Sequence, residues 1–422
     1  MALIIAVAPG FAGPVTYQRQ ASALSGRNER GNGKVSTGLD TSDIDQYLGK
    51  PVDSSSLREP IATNDIRRWV HAMHYPNLLH FDPDYAAASR WGKIIAPQSI
   101  CISTDDGHGA APACVGNIPD SHLLFGGDEH WFTGVRVQPG DIVSNERIPF
   151  DYVVKETKFA GPTCFQRGDN NFTNQNGELI LKQRSTSIRY NKQAGSETVN
   201  TDDFEETVWT DEEEQENIKR RFAWVQMMHD LGHKERWWDD VQVGDNLPER
   251  VFGPHSAASF ATEWRAYTVN IWGTQNLRKQ DLAGVGFDPA MGVHENDPDM
   301  MKIDPFLTDG AYYGPSRGHL FANWARRIGM PRGYGYGASM GAWGIDYLAG
   351  WAGEHGMVVH CISNYRGPAL TGDLTVQTAE VVDKSVDDEG RHLVHVKHKM
   401  ANHKGTIMAT GSAEIALPKK PA

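Results

Sequence analysis

The stretch PNLLHFDPDYAAASRWG occupies residues 76–92 and is followed by Ile95-Ala96-Pro97. Upstream of it, apolar residues recur at i, i+3, i+4 and i+7, at Ile66, Trp69, Val70 and Met73. This spacing predicts an amphipathic helix that begins near Thr63 or Asn64 and stops before Pro76. The sequence therefore predicts a helix, a break and then a segment that carries His80.

The same order of features occurs again in the second half of the chain. A second apolar face, after Ser256 and Ser259, predicts another helix and consists of Phe260, Trp264, Tyr267 and Ile271. Each predicted helix is followed, in the same order, by a histidine (His80, His319), a Gly-Asp turn (140–141, 372–373) and an Asn-x-x-Gly turn (174–177, 402–405). Alternating, strand-like segments lie beside the last turn, at 178–186 and 392–397. We therefore expect a duplicated α+β unit, with a long helix packed on an antiparallel sheet.

An acidic segment separates the two repeats. Residues 196–216 are rich in Asp and Glu, and Lys219, Arg220 and Arg221 follow them. With Thr210 as its cap, this segment predicts an interdomain helix whose first turn is acidic and whose last turn is basic; the alternative is a solvated connector. The expected division is residues 1–195 with an irregular N-terminal arm, a connector at 196–240, and residues 241–422 with an insertion at about 277–318.

Composition limits the classes of function. The chain has 422 residues and a net charge of −12, which argues against nucleic acid or an anionic membrane surface as the main partner. Its four cysteines lack metal-site spacing, so we expect neither a disulfide framework nor a structural zinc site, and we expect a cytoplasmic location. The longest apolar run, residues 1–8, falls short of the roughly 20 residues of a spanning helix. We expect no membrane segment.

The segment at 76–92 resembles the G-D-x-N-P-x-H-x-D-P-x-Y-A motif of the MaoC-like acyl dehydratases and R-specific enoyl-CoA hydratases. In the second repeat His319, Ala325-Arg326, Gly329-Met330-Pro331 and Gly337 are in a similar register. The resemblance covers nearly the whole chain from about residue 58. It implies two tandem hot-dog folds, each a long helix wrapped by an antiparallel sheet, that form a double hot dog.

The resemblance also implies a chemistry. In this family a histidine and a carboxylate hold the water that adds across an enoyl double bond. A glycine N–H at the start of a helix stabilises the thioester enolate oxygen, a contribution of roughly 3–4 kcal/mol for one donor. The expected substrate is an acyl thioester such as an acyl-CoA, and the expected reaction is its hydration or dehydration. No cofactor is expected.

The first repeat departs from the family pattern. The position of the catalytic aspartate falls on Tyr75, and that of the oxyanion glycine falls on Gln98. A tyrosine with an ordinary pKa near 10 is a poor base at neutral pH. We therefore expect this half to be degenerate and to bind the acyl chain through His80, Tyr75 and Asn77; a structural role remains the alternative for His80.

The second repeat keeps His319 and Gly337, so it is the expected catalytic half. Its aspartate position is Gly314, and a replacement carboxylate has to come from the insertion, where Asp309 is our first candidate. Arg317 and Tyr336 are candidate substrate contacts, with a surface role as the alternative for Arg317. We therefore predict His319, Asp309 and Gly337 as the catalytic set.

Three histidines of the first repeat lie close together in the sequence. His71, His74 and His80 could suggest a metal cluster, but His71 and His74 lie on the polar face of the predicted helix, so we expect no metal site.

If both repeats lack a working acid, the alternative function is a non-catalytic acyl-CoA-binding scaffold. A third hypothesis is a different lyase or isomerase that acts on a bulky non-CoA substrate. A homo-oligomer, such as a dimer, or a hetero-oligomer of hot-dog units is expected.

Overall fold

The structure is a computed structural model that describes residues 38–57, 59–105, 111–158, 160–191, 204–267, 317–326 and 329–421. Residues 268–316, which contain Asp309 and nearly all of the predicted insertion, lie outside the described residues, as does most of the predicted N-terminal arm. Among the described helices, none combines the length and the apolar character that crossing a bilayer requires.

One antiparallel sheet contains the strands of both repeats. The first half contributes β1 (Val52–Ser56), β2 (Ser121–Phe132), β3 (Ser144–Thr157), β4 (Gly161–Thr173) and β5 (Leu179–Asn191). The second half contributes β6 (Asn246–Phe252), β7 (Met357–Tyr365), β8 (Thr375–Val386), β9 (His392–Asn402) and β10 (Ile407–Leu417). The spatial order is β1-β3-β4-β5-β2-β7-β10-β9-β8-β6.

The order of strands is the same in both halves. Read from the outer edge inwards, each half runs first, third, fourth, fifth and second strand. The two second strands, β2 and β7, pair antiparallel at the middle of the sheet, from Gly127↔Asn364 to Trp131↔His360. This arrangement confirms the tandem hot-dog fold expected from the repeat.

The helices are α1 (Thr63–Ala72), α2 (Pro83–Ala88), α3 (Asp211–Leu231), α4 (Ala257–Ala266), α5 (Arg317–Leu320), α6 (Ala322–Arg326) and α7 (Gly337–Ala352). Both predicted amphipathic helices are present, as α1 and α4, although Ile271 of the second predicted face lies outside the described residues. The Asn-x-x-Gly turns join β4 to β5 and β9 to β10, and in each the glycine N–H donates to the asparagine carbonyl, at 3.0 Å for Gly177 and 2.9 Å for Gly405.

The long buried helix of the second half is α7, and not α4. It packs on β2, β7 and β10, and almost every one of its side chains is buried. Small residues make this close packing possible: a Cβ on Gly341 would lie 2.8 Å from the Tyr365 hydroxyl, and one on Gly350 would lie 2.8 Å from the Trp224 ring.

The first half departs from the expectation of a second long helix. Its equivalent segment, Gln98–Thr104, is a 3-10 helix within the described residues. Ser103 and Thr104 donate their hydroxyl hydrogens to the carbonyls of Ile100 and Cys101, at 2.7 and 2.8 Å. Such bonds, together with the β-branched side chains of this segment, compete with regular helix formation.

The acidic segment forms α3, capped as its sequence predicts. Thr210 accepts a hydrogen bond from the Glu213 N–H at 3.3 Å, and Glu213 accepts one from the Thr210 N–H at 2.9 Å. The helix continues to Leu231, so the expectation of a basic last turn at 219–221 was wrong. Trp224 and Met228 supply the apolar contacts that extend it, because both are buried.

Candidate active site

His319 is held by the backbone of the loop that leads into α7. Its Nδ1 atom lies 2.7 Å from the Tyr334 carbonyl oxygen, and its ring lies against the ring of Tyr336, with centroids 3.9 Å apart. A carbonyl can only accept, so Nδ1 carries the proton and Nε2 is the basic nitrogen. This tautomer is the one that a general base requires.

The first half repeats this arrangement around His80. Its Nδ1 atom lies 2.8 Å from the Ile95 carbonyl oxygen, again fifteen residues further along the chain. Burial lowers the pKa of His80 to about 3, with the charge of Arg136 acting in the same direction. His80 is therefore neutral at physiological pH, because burial disfavours the charged form of an imidazole.

Gly337 is the first residue of α7, three residues after the carbonyl that holds His319. The first N–H groups of a helix have no intrahelical acceptor, so a donor at this position can bind an oxygen with negative charge. Phe125 packs directly on this glycine: a Cβ there would lie 2.6–2.8 Å from the Phe125 side chain. Packing therefore requires glycine at position 337.

Gln98 occupies the matching position in the first half, and its amide is fully engaged. Its Nε2 donates to the Val358 carbonyl at 2.9 Å, and its Oε1 accepts from the Val358 N–H at 3.0 Å. Val358 is completely buried, so these two bonds satisfy both of its polar groups on that side of β7. The Gln98 side chain thus reaches from the start of its helix to β7. Gly337, at the matching position of the second half, has no side chain to make such contacts.

Tyr75 and Asn77 lie together near His80. Asn77 donates from Nδ2 to the Tyr75 hydroxyl at 3.0 Å, and the rings of Tyr75 and His80 are 5.3 Å apart. Burial raises the pKa of Tyr75 far above its ordinary value of 10, with the charge of Asp346 adding to the effect. The phenol therefore stays neutral and cannot replace the aspartate as a base.

A cavity of about 1050 Å³ opens beside Tyr75. Neither His319 nor Gly337 lines it. Its lining includes the apolar side chains of Val70, Phe81, Trp224 and Phe252 and four arginines, Arg67, Arg68, Arg221 and Arg250. The structure thus brings Tyr75, Asn77 and His80 together in the first half, and His319, Tyr336 and Gly337 in the second.

The structure does not describe the side chains of two predicted site residues. Asp309 lies outside the described residues, so its relation to His319 stays a prediction. Arg317 begins α5, and only its backbone is described.

Two buried carboxyl groups lie near the site and were not singled out from the sequence. Asp346, on α7, accepts from the Ser99 hydroxyl at 2.7 Å, and burial raises its pKa to about 7. Glu263, on α4, is completely buried, which raises its pKa to about 8 against the opposing effect of the Ser339 hydroxyl. The available signal was an acidic residue within an otherwise apolar helical face.

The prediction that His74 is solvent-exposed was wrong. Its Nε2 atom is buried and has no hydrogen-bond partner among the described residues, whereas His71 is exposed as expected. The reason is that α1 ends at Ala72, and His74 then adopts a left-handed backbone conformation with φ of 52°. The helical periodicity therefore no longer applies at His74.

Comparison with known proteins agrees with this architecture. Residues 48–183 match the family model described as FAS1-like, dehydratase domain region. This match lies entirely in the first half. A comparison with curated proteins gives no match.

Solved structures resemble the chain over most of its length. A MaoC-like dehydratase has a TM-score of 0.55 at 14% identity, and the alignment covers 89% of this chain and 100% of that one. A putative MaoC domain protein dehydratase from Chloroflexus aurantiacus J-10-fl has a TM-score of 0.49 at 13% identity, with 89% and 96% covered. A conserved hypothetical protein from Mycobacterium tuberculosis, described as having a double hotdog fold, has a TM-score of 0.47 at 10% identity, with 89% and 97% covered.

The family model covers part of the first half, and the fold of the MaoC-like dehydratase with a TM-score above 0.5 extends over both halves. The resemblance expected from the motifs around His80 and His319 is confirmed: this chain is similar to the MaoC-like hot-dog dehydratases, in the double hot-dog form.

Proposed function

We propose that the protein is a hydro-lyase that adds water to, or removes it from, the β-carbon of an acyl thioester. The observation that carries this proposal is the orientation of His319. Its Nδ1 atom is held by the Tyr334 carbonyl at 2.7 Å, and Tyr334 lies three residues before Gly337, where α7 begins. A basic nitrogen and a backbone N–H donor at the start of a helix are two of the groups that such a reaction needs.

In the hydration direction, Nε2 of His319 takes a proton from water while the water oxygen bonds to the β-carbon. Charge then develops on the thioester oxygen, where the Gly337 N–H donates a hydrogen bond. A proton delivered to the α-carbon completes the reaction, so that one molecule of water is added in total. We propose Asp309 as the acid, and Arg317 and Tyr336 as substrate contacts in the same half of the chain.

We propose that the first half binds the acyl part of the substrate through His80, Tyr75 and Asn77. The cavity beside Tyr75 supports this role, because its apolar lining suits an acyl chain, and Arg67, Arg68 and Arg221 suit the phosphates of a carrier such as CoA. The proposed division of the chain remains residues 1–195, 196–240 and 241–422. A cytoplasmic location and assembly of hot-dog units into a dimer or larger oligomer belong to the same proposal.

The direct test is a series of trans-enoyl-CoA substrates, from short chains to polycyclic ones. Hydration removes the conjugated double bond, so the ultraviolet absorbance of the enoyl thioester falls with time. We expect at least one member of the series to be consumed by the wild-type chain and consumed far more slowly by His319→Ala. Loss of absorbance that is equal in the two proteins would contradict the assignment of His319.

A second candidate is an acyl-thioester-binding scaffold without turnover, or a lyase or isomerase on a bulky non-CoA substrate. The specific observation in favour of the scaffold is Phe125, whose side chain packs on Gly337 and covers that side of the expected oxyanion donor. Acyl-CoA binding measured by calorimetry, without hydration of any enoyl-CoA, would favour the scaffold. Hydration by the wild-type chain would exclude it.

A further inference from the structure

Three side chains meet where α1 of the first half contacts α4 of the second: His255 and Glu263 are buried, and His74 is half-buried. His74 follows α1, His255 follows β6, and Glu263 lies on α4. One possible ligand atom from each, an imidazole nitrogen or a carboxylate oxygen, lies within 4.8 Å of the other two. Two imidazoles and one carboxylate form a donor set that binds zinc and other divalent transition metals in proteins.

The polar atoms of this cluster lack partners. His74 Nε2, His255 Nδ1 and both carboxylate oxygens of Glu263 are buried, and none has a hydrogen-bond partner of ordinary geometry among the described residues, although the Ser339 hydroxyl lies near enough to Glu263 to lower its pKa. A buried, unpaired polar group costs about 1–3 kcal/mol, and a buried charge costs more. Four such atoms in one place call for a common partner, and a cation satisfies all of them together.

The surroundings hold His255 in a ligand-like orientation. Its Nε2 atom lies 2.7 Å from the Thr375 hydroxyl, so that Nδ1 is the nitrogen left to bind a metal. The ring is stacked between those of Phe260 and Trp343, each with a centroid 5.3 Å away. A partner on the second nitrogen is the usual way in which proteins orient a metal-binding histidine.

His74 is fixed through its backbone. Arg250 donates from Nη2 to the His74 carbonyl at 2.8 Å, and the residue has a positive φ of 52°, which is uncommon outside glycine. The imidazole also lines the cavity of about 1050 Å³.

We propose that His74, His255 and Glu263 bind a divalent first-row transition metal ion of the zinc class. Metal bonds of about 2.0–2.2 Å place tetrahedral ligand atoms about 3.3 Å apart, so the three side chains need to approach one another by at most about 1.5 Å. The cavity that His74 lines gives a fourth ligand a route to the metal. This inference is independent of the proposed hydro-lyase activity.

The test is metal binding by the full-length chain after treatment with a chelator. Calorimetry with Zn²⁺ and visible spectroscopy with Co²⁺ should each show one equivalent bound, and the Co²⁺ form should have the intense d–d bands of a tetrahedral site. We expect Glu263→Gln and His74→Ala to weaken binding at least about 100-fold, and Thr375→Ala to weaken it about 10- to 100-fold.

Two matched variants control for general effects. Asp346→Asn changes another buried carboxyl group, and His319→Ala removes another histidine, and both should keep wild-type affinity for the metal. The proposal is overturned if the wild-type chain binds no equivalent of either metal, or if Glu263→Gln and His74→Ala bind as tightly as wild type. If a variant does not fold by circular dichroism, the wild-type Co²⁺ spectrum decides, since its absence alone rejects the site.

Discussion

His319 donates a hydrogen bond from Nδ1 to the carbonyl oxygen of Tyr334, at 2.7 Å. The first half contains the same relationship between His80 and Ile95, at 2.8 Å and with the same separation of fifteen residues. In both halves a histidine is therefore oriented by the loop that leads into the next helix. The halves differ three residues later, at Gly337 and Gln98, and this difference separates a proposed catalytic half from a proposed binding half.

Replacing His319 with alanine should lower turnover of an accepted enoyl-CoA by about 100-fold or more, because a general acid-base group usually contributes about 10²–10⁴-fold. Initial rates of absorbance loss measure the effect. His229→Ala is the matched control, because His229 is exposed on α3, and it should keep the wild-type rate. Equal rates for His319→Ala and this control would show that His319 is not a general acid or base.

Replacing Gly337 with alanine should lower both stability and turnover. The added Cβ would lie 2.6–2.8 Å from the Phe125 side chain, and overpacking of this kind costs about 1–3 kcal/mol. Urea denaturation and enoyl-CoA kinetics measure the two effects. On the same helix, a Cβ at Gly344 would lie 3.7 Å from the Ser363 hydroxyl, an ordinary contact. Gly344→Ala should therefore be neutral or stabilise the protein by up to about 1 kcal/mol.

Replacing Gln98 with alanine should destabilise the protein by about 1–3 kcal/mol, because the buried N–H and carbonyl groups of Val358 lose their partner. The free energy of unfolding in urea measures the loss. Gln226→Ala removes a glutamine side chain on the exposed face of α3 and should change this free energy by no more than about 0.5 kcal/mol. A similarly small effect for Gln98→Ala would mean that water forms the hydrogen bonds to Val358 that the amide forms in the wild-type protein.

The Asp346→Asn variant should change how stability depends on pH. Burial raises the pKa of Asp346 from 3.8 to about 7, while Arg250, Ser99 and Arg136 oppose the shift. Between about pH 4 and about pH 7 the folded state therefore keeps a proton that the unfolded state has lost, so the contribution of Asp346 to stability falls as pH rises. Asparagine has no proton to lose.

As the pH rises from about 4 to about 8, the free energy of unfolding of Asp346→Asn should increase by roughly 2–4 kcal/mol relative to that of the wild-type protein. Asp388→Asn, at an exposed aspartate, should follow the wild-type curve at every pH. Parallel curves for Asp346→Asn and wild type would mean that Asp346 is ionised in the folded protein.

Local sequence signals predicted α1, α4 and both Asn-x-x-Gly turns, because the spacing of apolar residues and the turn residues are properties of short segments. The duplicated order of those segments also predicted the tandem hot dog. The local signals did not predict that the long buried helix is α7, because nearly all of its faces are apolar and the sequence carries no periodic signal there. Nor did they predict that Gln98–Thr104 forms a 3-10 helix, whose hydroxyl-to-carbonyl bonds are visible only in the structure.

By itself, the sequence determined the repeat, the motif around His80 and the position of His319, because these depend on residue identity and spacing along the chain. Tertiary structure alone decided which groups are buried together. His74, His255 and Glu263 come from segments up to 189 residues apart, and only folding both halves onto one sheet makes them neighbours. Burial then sets their chemistry, since the free energy of a charge or an unpaired nitrogen depends on its surroundings and not on its place in the sequence.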